Sequence, residues 1–192
     1  MSRRSCLVLA AALAAVLPLS AHARETGWSV SLYSGPATNY YFTDFVAGKF
    51  HWQNAMVGVA LDGRLAYLGW GWSLMGEAQL TQYTLGHNYQ SAALGLGFEY
   101  NQFSWSRTLP TSFSVYMGPS YAINPPQQYP TSQRGSKKNL LNYLSAEFAV
   151  AVPGTTGWDV EFRTYHRSGA WGFYSLDADE STMIGLGIRR RF

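Results

Sequence analysis

The chain has 192 residues, a formal net charge of +3 and a single cysteine, and 16% of its residues are aromatic whereas 13% are charged. One cysteine excludes an intramolecular disulfide, and no segment provides the roughly 18 consecutive apolar residues of a transmembrane helix. Many aromatic residues and glycines with few charges favour membrane-spanning β-strands over a soluble α/β enzyme.

The N-terminal residues have the three parts of a secretory signal peptide. Arg3 and Arg4 come first, an apolar run occupies residues 7–19, and Ala21 and Ala23 supply the small residues of a cleavage site. Cleavage there removes two arginines and lowers the formal net charge to +1, so no nucleic-acid partner is predicted. The predicted organisation is a signal peptide at residues 1–23 and one domain at residues 24–192.

Eight segments of this domain alternate apolar and polar residues with a period of two, which is typical of β-strands with one apolar face. In the first segment, for example, Trp28, Val30 and Leu32 alternate with polar neighbours. The predicted strands are, in chain order, residues 28–33, 55–67, 70–81, 91–99, 112–120, 143–150, 158–168 and 180–192.

The connections between these strands differ in length and composition. Tight turns are predicted at residues 68–69 and 153–154, whereas residues 35–49, 124–138 and 169–179 form long loops. An even number of strands with long loops at one end indicates an all-β, eight-stranded antiparallel up-and-down barrel in the outer membrane of a Gram-negative bacterium. Both termini and the short turns are then periplasmic.

A barrel of eight strands has a lumen that side chains fill, so a pore is not expected. The predicted inward residues include several charges, and we interpret them as ion pairs within a narrow barrel, with a proton or ion path as the alternative. These residues are Glu77, Glu99, Glu147, Glu161, Arg64 and Arg163.

The last two strands break the apolar pattern of the lipid-facing side. Counting in steps of two, His166, Ser168 and Glu180 fall on the faces that should touch lipid. Residues two apart on a strand lie about 7 Å apart at Cα, close enough for a serine to contact a histidine. A nucleophile, a base and an orienting carboxylate suit hydrolysis of an ester in an amphiphile. The alternative is that polar residues are simply tolerated near the membrane surface.

The segment from Tyr165 to Ala170, with Glu180 fourteen positions after His166, resembles the His-x-Ser motif and trailing glutamate of the PagL lipid A 3-O-deacylases. The resemblance lies mainly in the last 35 residues. It implies an eight-stranded outer-membrane barrel that acts on lipid A without a cofactor, with Ser168 as nucleophile, His166 as base and Glu180 as its orienter. Gly169 stands where the family has asparagine, so a backbone N–H of Gly169 or Ala170 is predicted to stabilise the oxyanion.

Other residues suggest contacts with the envelope. Arg134, Lys137 and Lys138 could bind lipopolysaccharide phosphates or form a solvated loop. Asp177, Asp179 and Glu180 could together bind a divalent cation, but their spacing is not that of a calcium-binding loop, so no metal site is predicted.

Membrane-surface and assembly signals are found near the predicted periplasmic side. Trp70, Trp72, Trp105 and Trp158 are predicted to form an interfacial belt there, and the terminal Phe192 resembles a signal for the barrel assembly machinery. Outer-membrane lipid is a further predicted partner, and a homodimer is left open.

The sequence therefore favours a lipid A deacylase-like esterase. The alternative is a non-catalytic outer-membrane barrel with a structural role or one that binds lipopolysaccharide or other partners. A palmitoyltransferase-like barrel and a port for hydrophobic solutes fit less well, because both need an apolar lumen and the predicted lumen is charged.

Overall fold

Eight antiparallel strands form one closed barrel, in which each strand pairs with its neighbours in the chain and β1 pairs with β8. This computed structural model describes residues 27–38, 47–48, 52, 54–86, 88–125, 138–170, 173–174 and 181–192. The strands are β1 (Trp28–Thr38), β2 (Asn54–Gly69), β3 (Trp72–Thr84), β4 (Gln90–Tyr100), β5 (Thr111–Ile123), β6 (Leu140–Ala151), β7 (Trp158–Ser168) and β8 (Ser181–Arg191). The predicted fold class and all eight strands are confirmed.

Closure of the barrel depends on the pairing of its first and last strands. Ser29 lies opposite Arg191, and the register continues without a shift to Thr38 opposite Thr182. Every strand thus has two hydrogen-bonded neighbours, which is required where the surrounding medium offers no hydrogen-bonding partner. Within the described residues, no helix is long and apolar enough to span a bilayer.

The two ends of the barrel differ. One end, called here the turn end, carries connections 70–71, 101–110 and 152–157. The beginning of β1 and the end of β8 lie at the same end. The other, called the loop end, carries connections 39–53, 85–89, 124–139 and 169–180. By the rule that outer-membrane barrels have short periplasmic turns, the turn end is periplasmic and the loop end faces outside.

The outward-facing residues of the strands form an apolar outer wall. Leu80, Leu94, Leu96, Met117 and Leu186 are each about 60% exposed, whereas their inward neighbours are mostly buried. This inverts the arrangement of a soluble protein and is that of a barrel whose outer surface contacts hydrocarbon. The four tryptophans of the predicted belt all lie at the turn end, where Trp70 is 90% exposed.

Tyrosines and one ion-pair cluster fill the lumen. Arg163 is 0% exposed and lies 2.6 Å from Glu77, 2.7 Å from Glu147 and 2.7 Å from Glu161, measured between side-chain nitrogen and oxygen. Its guanidinium also stacks over the Tyr33 ring, 4.6 Å from the centroid. The predicted packed, charged interior is confirmed for these residues. The buried tyrosines around them are Tyr33, Tyr83, Tyr116, Tyr143 and Tyr165.

A second ion-pair layer lies nearer the turn end, and it differs from the prediction. Arg189, not Arg64, pairs with Asp159 at 2.9 Å and lies 3.9 Å from Glu99. Arg64 lies on the inner face, as predicted, opposite the buried Met75, but its side chain is exposed near the turn end and lies outside the packed interior. An irregularity in the β2–β3 pairing begins only after Arg64, so the period of two holds up to this residue and is interrupted beyond it.

The turn between β2 and β3 is also displaced from its predicted position. It comprises Trp70 and Gly71, at φ +50° and +80°, and not residues 68–69. Two-residue hairpin turns favour positive φ at both central positions because that twist matches the strands.

Candidate functional site

The outward face of β7 changes character along its length. Near the turn end Val160 and Phe162 are well exposed and apolar, as the outer wall requires. At the loop end the same alternating set continues with His166 and Ser168, which are both only 8% exposed. The predicted parity is therefore confirmed, and the two polar side chains are shielded although they lie on the lipid-facing side.

The ring of His166 is held by the adjacent strand. His166 pairs with Thr182 of β8, and its Nδ1 lies 2.9 Å from the Thr182 hydroxyl, where either atom can donate according to the tautomer. Thr182 is almost fully buried. This contact holds the ring orientation through Nδ1.

Ser168 lies where β7 ends and the chain turns. The backbone N–H of Ala170 donates to Ser168 Oγ at 3.4 Å, and Ala170 has φ +49°, in the left-handed region. The carbonyls of Gly169 and Ala170 accept the backbone N–H groups of Tyr174 and Phe173, both at 3.0 Å. The backbone after the serine is thus folded back so that one N–H points at its hydroxyl.

Asn142 of β6 is the cross-strand partner of Ser168. It belongs to the outward set of its strand and is 8% exposed, whereas Leu140, two residues earlier, is 50% exposed. Cross-strand partners point to the same side of a sheet, so the Asn142 and Ser168 side chains are neighbours on the outer wall.

Arg167 ties these two strands together from inside the barrel. Its Nη2 donates to the carbonyls of Lys138 and Asn139, just before β6, and its Nε donates to Ser120 Oγ at 3.3 Å. The side chain is 4% exposed. The start of β6 and the end of β7 are therefore held at one level by charge-assisted hydrogen bonds.

Several predicted site residues lie outside the described part of the chain. They are Glu180, Arg134, Lys137, Asp177 and Asp179, together with the predicted signal peptide. Lys138 is described; its side chain is exposed at the loop end, where a phosphate contact was predicted.

Thr182 and Asn142 were not predicted from the sequence as members of this site. Alternation along the strands places both on the outward face, since Thr182 belongs to the outward set of β8 and Asn142 precedes Leu144 by two residues. Only the pairing between strands shows that one lies beside His166 and the other beside Ser168.

A separate group of carboxylates lies inside the barrel. Asp62, Glu77 and Glu147 can each place one oxygen within 4.8 Å of the others. Arg163 already pairs with two of them, so the guanidinium supplies positive charge that a metal ion would otherwise provide. These side chains point into the lumen, on the opposite side of the barrel wall from His166 and Ser168.

The sequence matches no protein-family model and no curated protein. Solved structures do resemble it. The crystal structure of the outer membrane enzyme PagL superposes with a TM-score of 0.62 at 14% identity, over 85% of this chain and 99% of that chain. The crystal structure of Neisserial surface protein A superposes with a TM-score of 0.53 at 12% identity, over 87% and 98%.

The chain has the fold of outer-membrane barrels. Together with the apolar outer wall, this places the protein in the outer membrane of a Gram-negative bacterium. The likeness to PagL extends over the whole barrel, so it gives no support to the expectation that the resemblance is concentrated in the last 35 residues. At such low identity the likeness concerns the fold.

Proposed function

We propose that the protein is a serine-type ester hydrolase that removes an acyl chain from lipid A at the outer wall of the barrel. One observation carries the proposal: His166 and Ser168 lie two apart on the lipid-facing side of β7 and are both shielded. Polar groups are costly to place beside hydrocarbon, so such a shielded pair on an apolar wall needs a reason. The likeness in fold to the outer membrane enzyme PagL supports the same assignment.

In the proposed reaction Ser168 is the nucleophile and His166 is the base. Nε2 of His166 takes the hydroxyl proton as Oγ attacks the acyl carbonyl, and then returns it to the departing sugar oxygen. Water repeats the sequence on the acyl-enzyme, which releases the fatty acid and restores the serine. Thr182 holds Nδ1 of the base. Glu180, one residue before β8, is proposed to orient the same ring.

The oxyanion of this reaction needs hydrogen-bond donors close to the nucleophile. Gly169 and Ala170 were both predicted as backbone donors. The contact from the Ala170 N–H to Ser168 Oγ favours Ala170, because a group that reaches the nucleophilic oxygen is also close to the carbonyl that this oxygen attacks.

The substrate class follows from where the site lies. An ester that reaches it must belong to an amphiphile of the outer leaflet, with its acyl chains beside the apolar outer wall. Phe173 is 85% exposed just after β7, where it can contact such chains. Lys138 with Arg134 and Lys137 are proposed to meet the phosphates. The chemistry uses only side chains, backbone N–H groups and water, so no cofactor is proposed.

The test is to express the protein in a Gram-negative host whose lipid A is fully acylated and to analyse that lipid A by mass spectrometry. We expect the intact chain to lower the mass by one hydroxyacyl group. Ser168→Ala and His166→Ala should each reduce the rate by roughly 10⁴-fold, because a catalytic dyad acts as a unit. Thr164→Ala is the matched control, since it removes another hydroxyl from the same face of β7.

Each of the four proteins must change its mobility in gel electrophoresis when the sample is heated, because a folded outer-membrane barrel migrates differently from its unfolded chain. Unaltered lipid A with the intact, folded protein would contradict the proposal.

The second candidate is a non-catalytic barrel that stabilises the envelope or binds lipopolysaccharide or a protein partner. The exposed Phe173 and Lys138 at the loop end support it, because both are available to a ligand there. This candidate predicts that the protein binds lipopolysaccharide without changing its mass. Recognition of Phe192 by the barrel assembly machinery and formation of a homodimer are further proposals that either candidate permits.

A further inference from the structure

We propose that Asn142 is a catalytic residue whose side-chain amide donates a hydrogen bond to the oxyanion formed when Ser168 attacks an ester. The inference rests on the proposed hydrolase function and adds a residue from a different strand to it. Asn142 lies in β6, 26 positions before Ser168 in the sequence, and reaches the site only through strand pairing.

Asn142 is positioned beside the nucleophile. Asn142 and Ser168 are directly opposite each other in the β6–β7 pair, where Cβ atoms are typically about 4.5 to 5.5 Å apart. An asparagine side chain extends far enough for its Nδ2 to reach a group bonded to Ser168 Oγ. His166 pairs with Leu144, so Asn142 flanks the nucleophile on the side away from Thr182.

Burial of the Asn142 amide on an apolar face has a free-energy cost. A primary amide carries two donors and an acceptor oxygen, and burying it in an apolar medium without partners is strongly unfavourable. The other outward residues of β6 are Leu140, Leu144, Ala146, Phe148 and Val150, all apolar. A leucine at position 142 would continue that pattern. The single amide of this face lies beside the single serine of the outward face of β7.

The proposed reaction needs more than one hydrogen-bond donor for its oxyanion. A tetrahedral intermediate places a full negative charge on the former carbonyl oxygen, and oxyanion holes usually supply two donors. The Ala170 N–H, which donates to Ser168 Oγ at 3.4 Å, is the donor already proposed above. Gly169 has no side chain, so a second donor from a side chain must come from another residue. Asn142 approaches from the adjacent strand and completes the pair without any change in the backbone after Ser168.

The experiment compares Asn142→Asp and Asn142→Ala with the parent barrel, using detergent-solubilised lipopolysaccharide as the probe and mass spectrometry to follow initial rates. Aspartate keeps the shape of the side chain but loses the donors, and it serves if truncation to alanine prevents folding. We expect kcat to fall by roughly 10²- to 10³-fold, as for loss of one oxyanion donor, with KM within about twofold. Gln90→Ala is the control, because it removes an outward amide at the same end of the barrel.

The outcomes separate this inference from the function on which it rests. If the parent barrel releases no fatty acid, the hydrolase proposal itself fails. If the parent is active and the folded Asn142 variants keep kcat within threefold, Asn142 is not an oxyanion donor. A rise in KM with unchanged kcat would also overturn the inference, since it would show a contact with bound substrate instead of the intermediate.

Discussion

At the scale of single residues, the site depends on polar groups that the outer wall would otherwise exclude. Thr182 is the residue best placed to orient the base, because its hydroxyl lies 2.9 Å from Nδ1 of His166 and is itself buried. A histidine held at one nitrogen presents the other in a fixed direction, and general base catalysis requires that direction to match the nucleophile.

Thr182→Val tests this orientation. Valine has nearly the same shape and suits an apolar wall, so the barrel should fold, but the hydrogen bond is lost. A neutral hydrogen bond of about 1 kcal/mol corresponds to a reduction in kcat of roughly fivefold, with a range of about 2 to 12. Initial rates on lipopolysaccharide provide the measurement. An unchanged kcat would show that another group, such as Glu180, orients His166 alone.

At the scale of strands, the site exists because β6, β7 and β8 meet at one level. A slip of one residue in β7 would turn His166 and Ser168 into the lumen, since side chains alternate between faces. Arg167 opposes such a slip from the inner side, where it binds the carbonyls of Lys138 and Asn139.

Arg167→Met should loosen this junction while leaving the rest of the barrel intact. The variant loses charge-assisted hydrogen bonds worth about 1.5 to 3 kcal/mol each, so we expect faster amide hydrogen exchange at residues 140–142 and lower hydrolase activity. Lys138→Met is the matched control, because only the backbone carbonyl of Lys138 takes part in this contact. Equal exchange rates in Arg167→Met and Lys138→Met would show that Arg167 does not hold the start of β6 and the end of β7 together.

At the scale of the whole molecule, the barrel combines an apolar outer wall with an interior that contains ion pairs. Arg163 lies among three carboxylates with no solvent exposure, and Arg189 forms a second layer toward the turn end. Within the described residues these side chains fill the lumen at two levels, whereas the proposed chemistry lies on the outer wall. The same packing gives the wall rigidity, on which a preorganised site depends.

Arg163→Met should strongly destabilise the barrel. Removing the cation leaves buried carboxylates without a partner, which costs about 3 to 5 kcal/mol. Arg191→Met is the control, because Arg191 is far more exposed and its partner Asp159 keeps Arg189, so a loss of at most about 1 kcal/mol is expected. Urea unfolding in phospholipid vesicles gives both free energies of unfolding. A similar loss in the two variants would show that the cluster is not essential.

The period of two along the chain determined the number of strands, the barrel class and the outward direction of His166 and Ser168, because these properties follow from local alternation and from the need to shield apolar faces from water. It placed Arg64 on the inner face but did not show that this side chain is exposed near the turn end, outside the packed interior. The tertiary structure decided which residues meet: Asn142 beside Ser168, Thr182 beside His166. Alternation assigns each residue a face, whereas contacts between strands depend on register, which is set by pairing of distant segments and by interior clamps such as Arg167.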